Sequence, residues 1–153
     1  MGLLPRIQRS GSSGYGASTT AEQVTEGLDL SNKTYLITGC NSGLGEETVR
    51  VLILRGARVI ALARTLEKAE RIARRTNNKV IPIACDLSEP RSIESAIMAV
   101  REFQTKLDAV ICNAGVMKLP QLQQKYNFEL QFFTNHVGHF LLVTGLLDRL
   151  ASC

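Results

Sequence analysis

Thr38-Gly39-Cys40-Asn41-Ser42-Gly43-Leu44-Gly45 follows the apolar run Thr34 to Thr38 and opens a segment of helical period, Gly43 to Arg55. Gly39 allows a tight turn, Gly43 lets backbone approach a pyrophosphate with no Cβ in the way, and Gly45 lets the helix pack close to the sheet. The free N–H groups and the dipole at the helix start favour an anion there. A glycine-rich turn with no ligand is the competing reading. The placement between a strand and a helix argues for a dinucleotide site instead.

Downstream the same alternation repeats: Arg58 to Ala63, a helix from Leu66 to Thr76, Val80 to Cys85, a helix from Glu89 to Lys106, Ala109 to Cys112, and a last helix from about Phe128 to Leu150. Four β-α units in a row predict an α/β fold, a doubly wound parallel sheet of Rossmann type, stopping after the fourth unit. Leu66, Ala69, Ile72 and Ala73 make one apolar stripe; Ile93, Ala96, Ile97, Val100 and Phe103 make another, with Ser88 expected as N-cap and Pro90 in the first turn. Pro82 has no N–H to give a sheet ladder, so its strand belongs at an edge, which the order 3-2-1-4 provides.

The chain has 153 residues, about one domain, and 44% hydrophobic with 21% charged residues excludes a disordered or low-complexity protein. Residues 1 to 30, rich in Gly, Ser and Thr, read as a mobile leader, and 31 to 153 as a nucleotide-binding half-domain. The formal charge is +4, with the excess between Arg55 and Lys79; that cluster has no interleaved aromatics, so nucleic acid is not an expected partner. Cys40, Cys85, Cys112 and Cys153 form no C-x-x-C pair, and His136 and His139 have no evident third ligand, so neither a disulfide framework nor a metal site is expected. The apolar stretch Phe140 to Leu147 is too short to span a bilayer, so no transmembrane segment is expected. A reducing, cytoplasmic setting is the expectation, with organelle import as the alternative because Arg6, Arg9 and several serines precede the first acid, Glu22.

A site that prefers NAD places an acid at the end of the second strand for the ribose hydroxyls. Here that end reads Ala61-Leu62-Ala63-Arg64. With no acid present and a planar guanidinium at Arg64 suited to a 2′-phosphate, the expected cofactor is NADP rather than NAD. An ordinary surface arginine is the competing reading of Arg64.

With Asp86-Leu87, Cys112-Asn113-Ala114-Gly115 and Asn135 added to the glycine turn, the chain resembles the short-chain dehydrogenase/reductase family. Asn135-His136-Val137-Gly138-His139-Phe140 and Ser18-Thr19-Thr20-Ala21-Glu22-Gln23-Val24 look most like its retinol dehydrogenase-like branch. The resemblance implies that Gly39, Gly43 and Gly45 hold the pyrophosphate, with Ser42 and Leu44 lining it. It implies that Asp86 bonds the adenine amino group beside Leu87, that Asn113, Ala114 and Gly115 line the cofactor, and that Asn135 is the asparagine of the catalytic tetrad. Cys112 departs from the family, which has another Asn there, and Asp86 taken alone reads equally well as a cap or turn residue.

The family also uses a Ser and a Tyr-x-x-x-Lys for proton transfer. Four residues beyond Tyr15, Tyr35 and Tyr126 stand Thr19, Gly39 and Leu130, so that motif is missing here. The expectation is therefore the cofactor-binding half of an NADP(H)-dependent oxidoreductase that, intact, takes a small-molecule alcohol or carbonyl. A non-catalytic short product that binds a nucleotide or a partner is the alternative. The Val110-Ile111 run carries no charge or proline to blunt a sheet edge, so self-association through that edge is expected.

Overall fold

Successive side chains of a strand point to opposite faces, so a strand apolar at every position needs cover on both sides. The computed structural model describes residues 12–103 and 106–150. In it β1 (Thr34–Thr38), β2 (Arg58–Ala63), β3 (Val80–Ala84) and β4 (Ala109–Ile111) form one parallel sheet in the order β3-β2-β1-β4. This is the expected doubly wound order, with Pro82 on the edge strand, in register with Ala61 of β2. Leu36, Ile60 and Leu62 face one way, into a core with Ile93, Ala96, Val100, Leu142 and Leu146. Their neighbours Ile37, Val59, Ala61 and Ala63 face the other way, against Val49, Ala69 and Ile72. Each large side chain buried in these two layers contributes about 1.5–3 kcal/mol.

The helices follow from their ends. Preceding the sheet is a single turn, α1 (Ala21–Val24); α2 (Gly43–Leu54) crosses from β1 to β2, and α3 (Leu66–Arg75) from β2 to β3. Thr65 caps α3 by accepting from Lys68 N–H, and the helix stops where Asn77 and Asn78 turn left-handed at φ 52° and 57°. Next comes α4 (Pro90–Glu102), shorter than the expected Glu89 to Lys106, with Glu89 at the N-cap position. Ser88, expected there, instead turns back: its N–H and hydroxyl both donate to Asp86 Oδ1, at 2.9 and 2.8 Å. Cys85 and Cys112 sit one residue past the ends of β3 and β4.

Two regions depart further from expectation. Residues 20–30, expected as leader, hold the α1 turn inside a capping box between Thr20 and Gln23. Glu22 pairs with Arg50 at 2.9 Å, and Arg55 donates to the Glu22 carbonyl at 2.7 Å and to Thr25 Oγ1 at 3.1 Å, which ties this segment to α2. Thr-x-x-Gln was the available signal; the part of the expected leader before residue 12 lies outside the described residues.

The last helix, expected from about Phe128 to Leu150, is not continuous. A hairpin of β5 (Gln124–Lys125) and β6 (Phe128–Glu129) turns through Tyr126 and Asn127, both left-handed at φ 53° and 63°, the pair of angles a two-residue hairpin turn demands. Glu129 then accepts from the N–H groups of Gln131 and Phe132 and starts α5 (Leu130–Phe132). A π-helical segment, Phe133–Val137, widens the backbone before α6 (Gly138–Thr144), and a break at Gly145 separates α7 (Leu147–Leu150).

Candidate functional site

The registers Thr38 with Leu62 and Ala63 with Ala84 bring the carboxyl ends of the central strands to one edge. A cleft of about 400 Å³ opens there. Open α/β sheets place ligands at this edge, where the strand order reverses between β1 and β4. Gly39, Ser42, Leu44 and Gly45 border the cleft from the glycine turn, and Arg64 from the end of β2. Asp86 and Leu87 border it beyond β3, and Asn113, Ala114 and Gly115 beyond β4. Gly43 and Asn135, also expected, are not in the lining.

Close backbone approach explains the glycines. Gly39 is left-handed at φ 67°, and a Cβ on it would lie 2.7 Å from Ala114 Cα. A Cβ on Gly45 would lie 2.2 Å from the Gly39 carbonyl oxygen and 2.5 Å from Asn113 Nδ2. No real Cβ sits so near backbone, so neither position admits a side chain without moving the turn. Gly43, at φ 56°, differs: a Cβ there would meet open space, and the residue matters for its backbone angle.

The turn after β4 is bonded to the glycine turn. Asn113 Nδ2 donates to the carbonyls of Thr38 and Gly39, at 3.0 and 3.1 Å. The buried Thr38 hydroxyl accepts from Asn113 N–H at 3.1 Å and Ala114 N–H at 3.0 Å. Thr38 escapes a reading based on glycine spacing, since the residue before the first glycine looks like plain strand. Its importance appears only when the turn 75 residues on is placed beside it.

Arg64 is exposed at the mouth, and Lys68, one helical turn later in α3, joins it in the lining. Lys68 carries no motif of its own; the available signal was a cation in the first turn of the helix that follows the strand end. Together they give this end of the cleft two positive charges, a fit for a phosphate group. Asp86 serves as the turn residue that one of its readings required, while also bordering the cleft.

Asn135 has both ends of its amide committed elsewhere. Its Oδ1 accepts from Val116 N–H and its Nδ2 donates to the Val116 carbonyl, both at 2.8 Å, holding the loop after β4 to the π segment. The cysteines near this edge are poor nucleophiles: burial pushes the Cys40 thiol up to about 11, and burial with the Asp86 charge pushes Cys85 up to about 12. Among the described residues no group of three His, Cys, Asp or Glu side chains could hold a metal ion, and no helix is long and apolar enough to cross a membrane.

Residues 33–152 match the family model described as short chain dehydrogenase. Among curated proteins, the chain is 42% identical over 149 residues to short-chain dehydrogenase TIC 32 B, chloroplastic, of Brassica napus, covering 94% of this chain and 47% of that protein. It is 37% identical over 128 residues to human retinol dehydrogenase 13, covering 80% and 39%. Among solved structures, 3-ketoacyl-(acyl-carrier-protein) reductase from Brucella melitensis, complexed with NADH, superposes with a TM-score of 0.65 at 28% identity, covering 76% of this chain and 49% of that one. The chain thus spans about half the length, or less, of the curated relatives it matches. With the fold, the glycine cradle and a family match over most of its length in agreement, the chain belongs to the short-chain dehydrogenase family, in its retinol dehydrogenase-like branch.

Proposed function

We propose that this chain is the cofactor-binding part of an NADP(H)-dependent oxidoreductase acting on an alcohol or carbonyl. The observation that carries this reading is the cleft itself, which has backbone-only walls at Gly39 and Gly45 and two cations, Arg64 and Lys68, with no acid at the end of β2. Ser42 to Gly45 would hold the pyrophosphate at the start of α2, where free N–H groups face the cleft. Arg64 and Lys68 would take the 2′-phosphate, and Asp86 with Leu87 the adenine. Asn113, Ala114 and Gly115 would wall the other side. A bound nicotinamide dinucleotide supplies or accepts the hydride in such a reaction.

The work of this chain's own residues is to bind and orient. Among its 153 residues no tyrosine stands four before a lysine, so the proton donor of the family's chemistry has no counterpart here. That favours a chain that binds nucleotide yet turns over neither alcohols nor ketones. The non-catalytic reading shares this expectation and differs only in what partner, if any, completes the site. β4 is bonded to β1 alone among the described residues, which supports self-association through its other edge, read by sedimentation of the 153-residue chain. The cytoplasmic reading rests on cysteine spacing, which forms no C-x-x-C pair. The chloroplastic name of the Brassica napus relative makes organelle import the competing reading, and fluorescent tagging of the full chain separates them.

Equilibrium titration tests the cofactor. NADPH is expected to bind more tightly than NADH, and Arg64→Ala to remove most of the difference. A charge-assisted contact is worth about 1.5–3 kcal/mol, roughly 10- to 150-fold in affinity. Equal affinity of the unaltered chain for both nucleotides would refute the NADP assignment.

A further inference from the structure

His139 lies outside the cleft lining, is buried in α6, and makes two side-chain hydrogen bonds that nothing above assigns. Its Nε2 is 2.8 Å from Thr38 Oγ1, and its Nδ1 is 2.8 Å from the Asn135 backbone carbonyl. We propose that His139 is a positioning residue, whose neutral imidazole, carrying its proton on Nδ1, fixes the Thr38 hydroxyl and through it the Asn113–Ala114 turn that walls the cleft.

The partners decide the tautomer. A carbonyl only accepts, so Nδ1 facing Asn135 must carry the proton. Nε2 faces the Thr38 oxygen, and whether it donates or accepts is set by what that oxygen still offers. The Thr38 oxygen already accepts from Asn113 and Ala114 N–H, which uses both of its lone pairs and leaves its hydroxyl proton to donate. The two candidate acceptors are Nε2 at 2.8 Å and the Ile111 carbonyl at 3.5 Å, so the proton goes to His139. The opposite tautomer would aim a lone pair at the Asn135 carbonyl and a third donor at Thr38. Every polar atom of the chain Asn135–His139–Thr38–Asn113/Ala114 is satisfied in one arrangement, so the hydroxyl is held in a single rotamer.

The consequence is a physical link across 101 residues of sequence, from the π segment, where Asn135 holds the loop after β4, to the start of the glycine turn. That this link presets the cleft for a dinucleotide rests on the function proposed above; the positioning itself does not.

The test uses the full chain without and then with nucleotide. Nitrogen-15 spectra of labelled histidine should show His139 protonated at Nδ1, with Nε2 as an unprotonated acceptor. A proton on Nε2 would overturn the proposal even if every variant failed to fold. His139→Phe fills the space without an acceptor, and His139→Gln restores one towards Thr38. Exchange of the Asn113 and Ala114 amides should accelerate roughly 3- to 10-fold in the phenylalanine variant, the size of one net hydrogen bond, and recover in the glutamine variant. Thr38→Val made in the His139→Phe background should add less than it does alone. Unchanged exchange in a folded His139→Phe chain would overturn the proposal. Failure of the unaltered chain to bind NADPH would count against the function alone, whereas a folded His139→Phe chain that keeps its NADPH affinity while its amides loosen would break only the preset of the cleft.

Discussion

Two walls face each other across the cleft, and they are made in different ways. The glycine turn, Thr38 to Gly45, is shaped by its own residues: left-handed angles at Gly39 and Gly43, and a missing Cβ at Gly45 where helix meets sheet. The opposite wall, Asn113 to Val116 with Thr134, and the chain that continues from it to His139 owe their shape to partners far away in sequence. Thr38 anchors its turn, Val116 is clasped by Asn135, and the hairpin at 124–129 is tied to the loop before α4, where Lys125 pairs with Glu89 and the Tyr126 hydroxyl donates to Glu89 at 2.8 Å. A locally determined wall can be read residue by residue, whereas a wall set by tertiary bonds cannot. Substitutions should therefore act differently on the two sides.

The largest effect is expected where the walls meet. Thr38→Val keeps the shape but leaves Ala114 N–H and His139 Nε2 without this partner and Asn113 N–H with the Ile111 carbonyl alone, at about 1–3 kcal/mol for each polar group left unpaired away from water. Denaturant unfolding should lose about 2 kcal/mol or more. A loss below about 1 kcal/mol would mean that the walls are independent.

Next in size is a contrast inside the glycine turn. Gly45→Ala gains about 1 kcal/mol of helix propensity but forces a methyl to 2.2 Å from the Gly39 carbonyl oxygen, a contact that must move backbone and so costs more than the roughly 1–3 kcal/mol of ordinary overpacking. It should destabilise the fold and weaken nucleotide binding together. Gly43→Ala meets open space and bears only the left-handed penalty of roughly 1–2 kcal/mol. If Gly43→Ala proves the more damaging to stability by the same unfolding assay, the close-approach account of Gly45 is wrong.

The smallest effect belongs to the hairpin at 124–129, outside the cleft lining. The Lys125 ammonium, and after it the Tyr126 hydroxyl, hold the Glu89 carboxyl below the usual glutamate range. A carboxyl depressed in the folded state stabilises it above the unfolded pKa, and that contribution fades as pH falls through the folded value. The partners are exposed, so the effect is slight. Protection of the amides in residues 124–129, taken relative to the intrinsic exchange rate at each pH, should fall below about pH 4.3, the usual glutamate value. Glu89→Gln should reproduce the change at neutral pH; a hairpin equally protected in that variant would show that aromatic packing of Tyr126 and Phe128 on Phe133 holds it instead.

The same contrast explains what could be read in advance. β1 and β2 have the bounds their apolar runs predict, and the strand order follows from Pro82 and the alternation of units. Ten of the eleven expected nucleotide residues border the cleft because they are defined by their position at strand ends. The hairpin was illegible because its turn uses Tyr126 and Asn127 where glycine is the usual marker, and the following apolar residues continued a helical period. The π segment has no periodic signature. Lys68 has no mark to set it apart from the other cations of a basic helix, and the Thr38–His139 bond spans 101 residues.

Residue-resolved mapping of NADPH binding on the isotopically labelled chain tests the central claim most directly. If both walls and the basic corner form one dinucleotide site, the amides of Ser42 to Gly45, Arg64 to Lys68, and Asn113 to Gly115 should shift together with a single saturation curve. Shifts confined to one wall, shifts elsewhere on the surface, or no shift at saturating NADPH would contradict it.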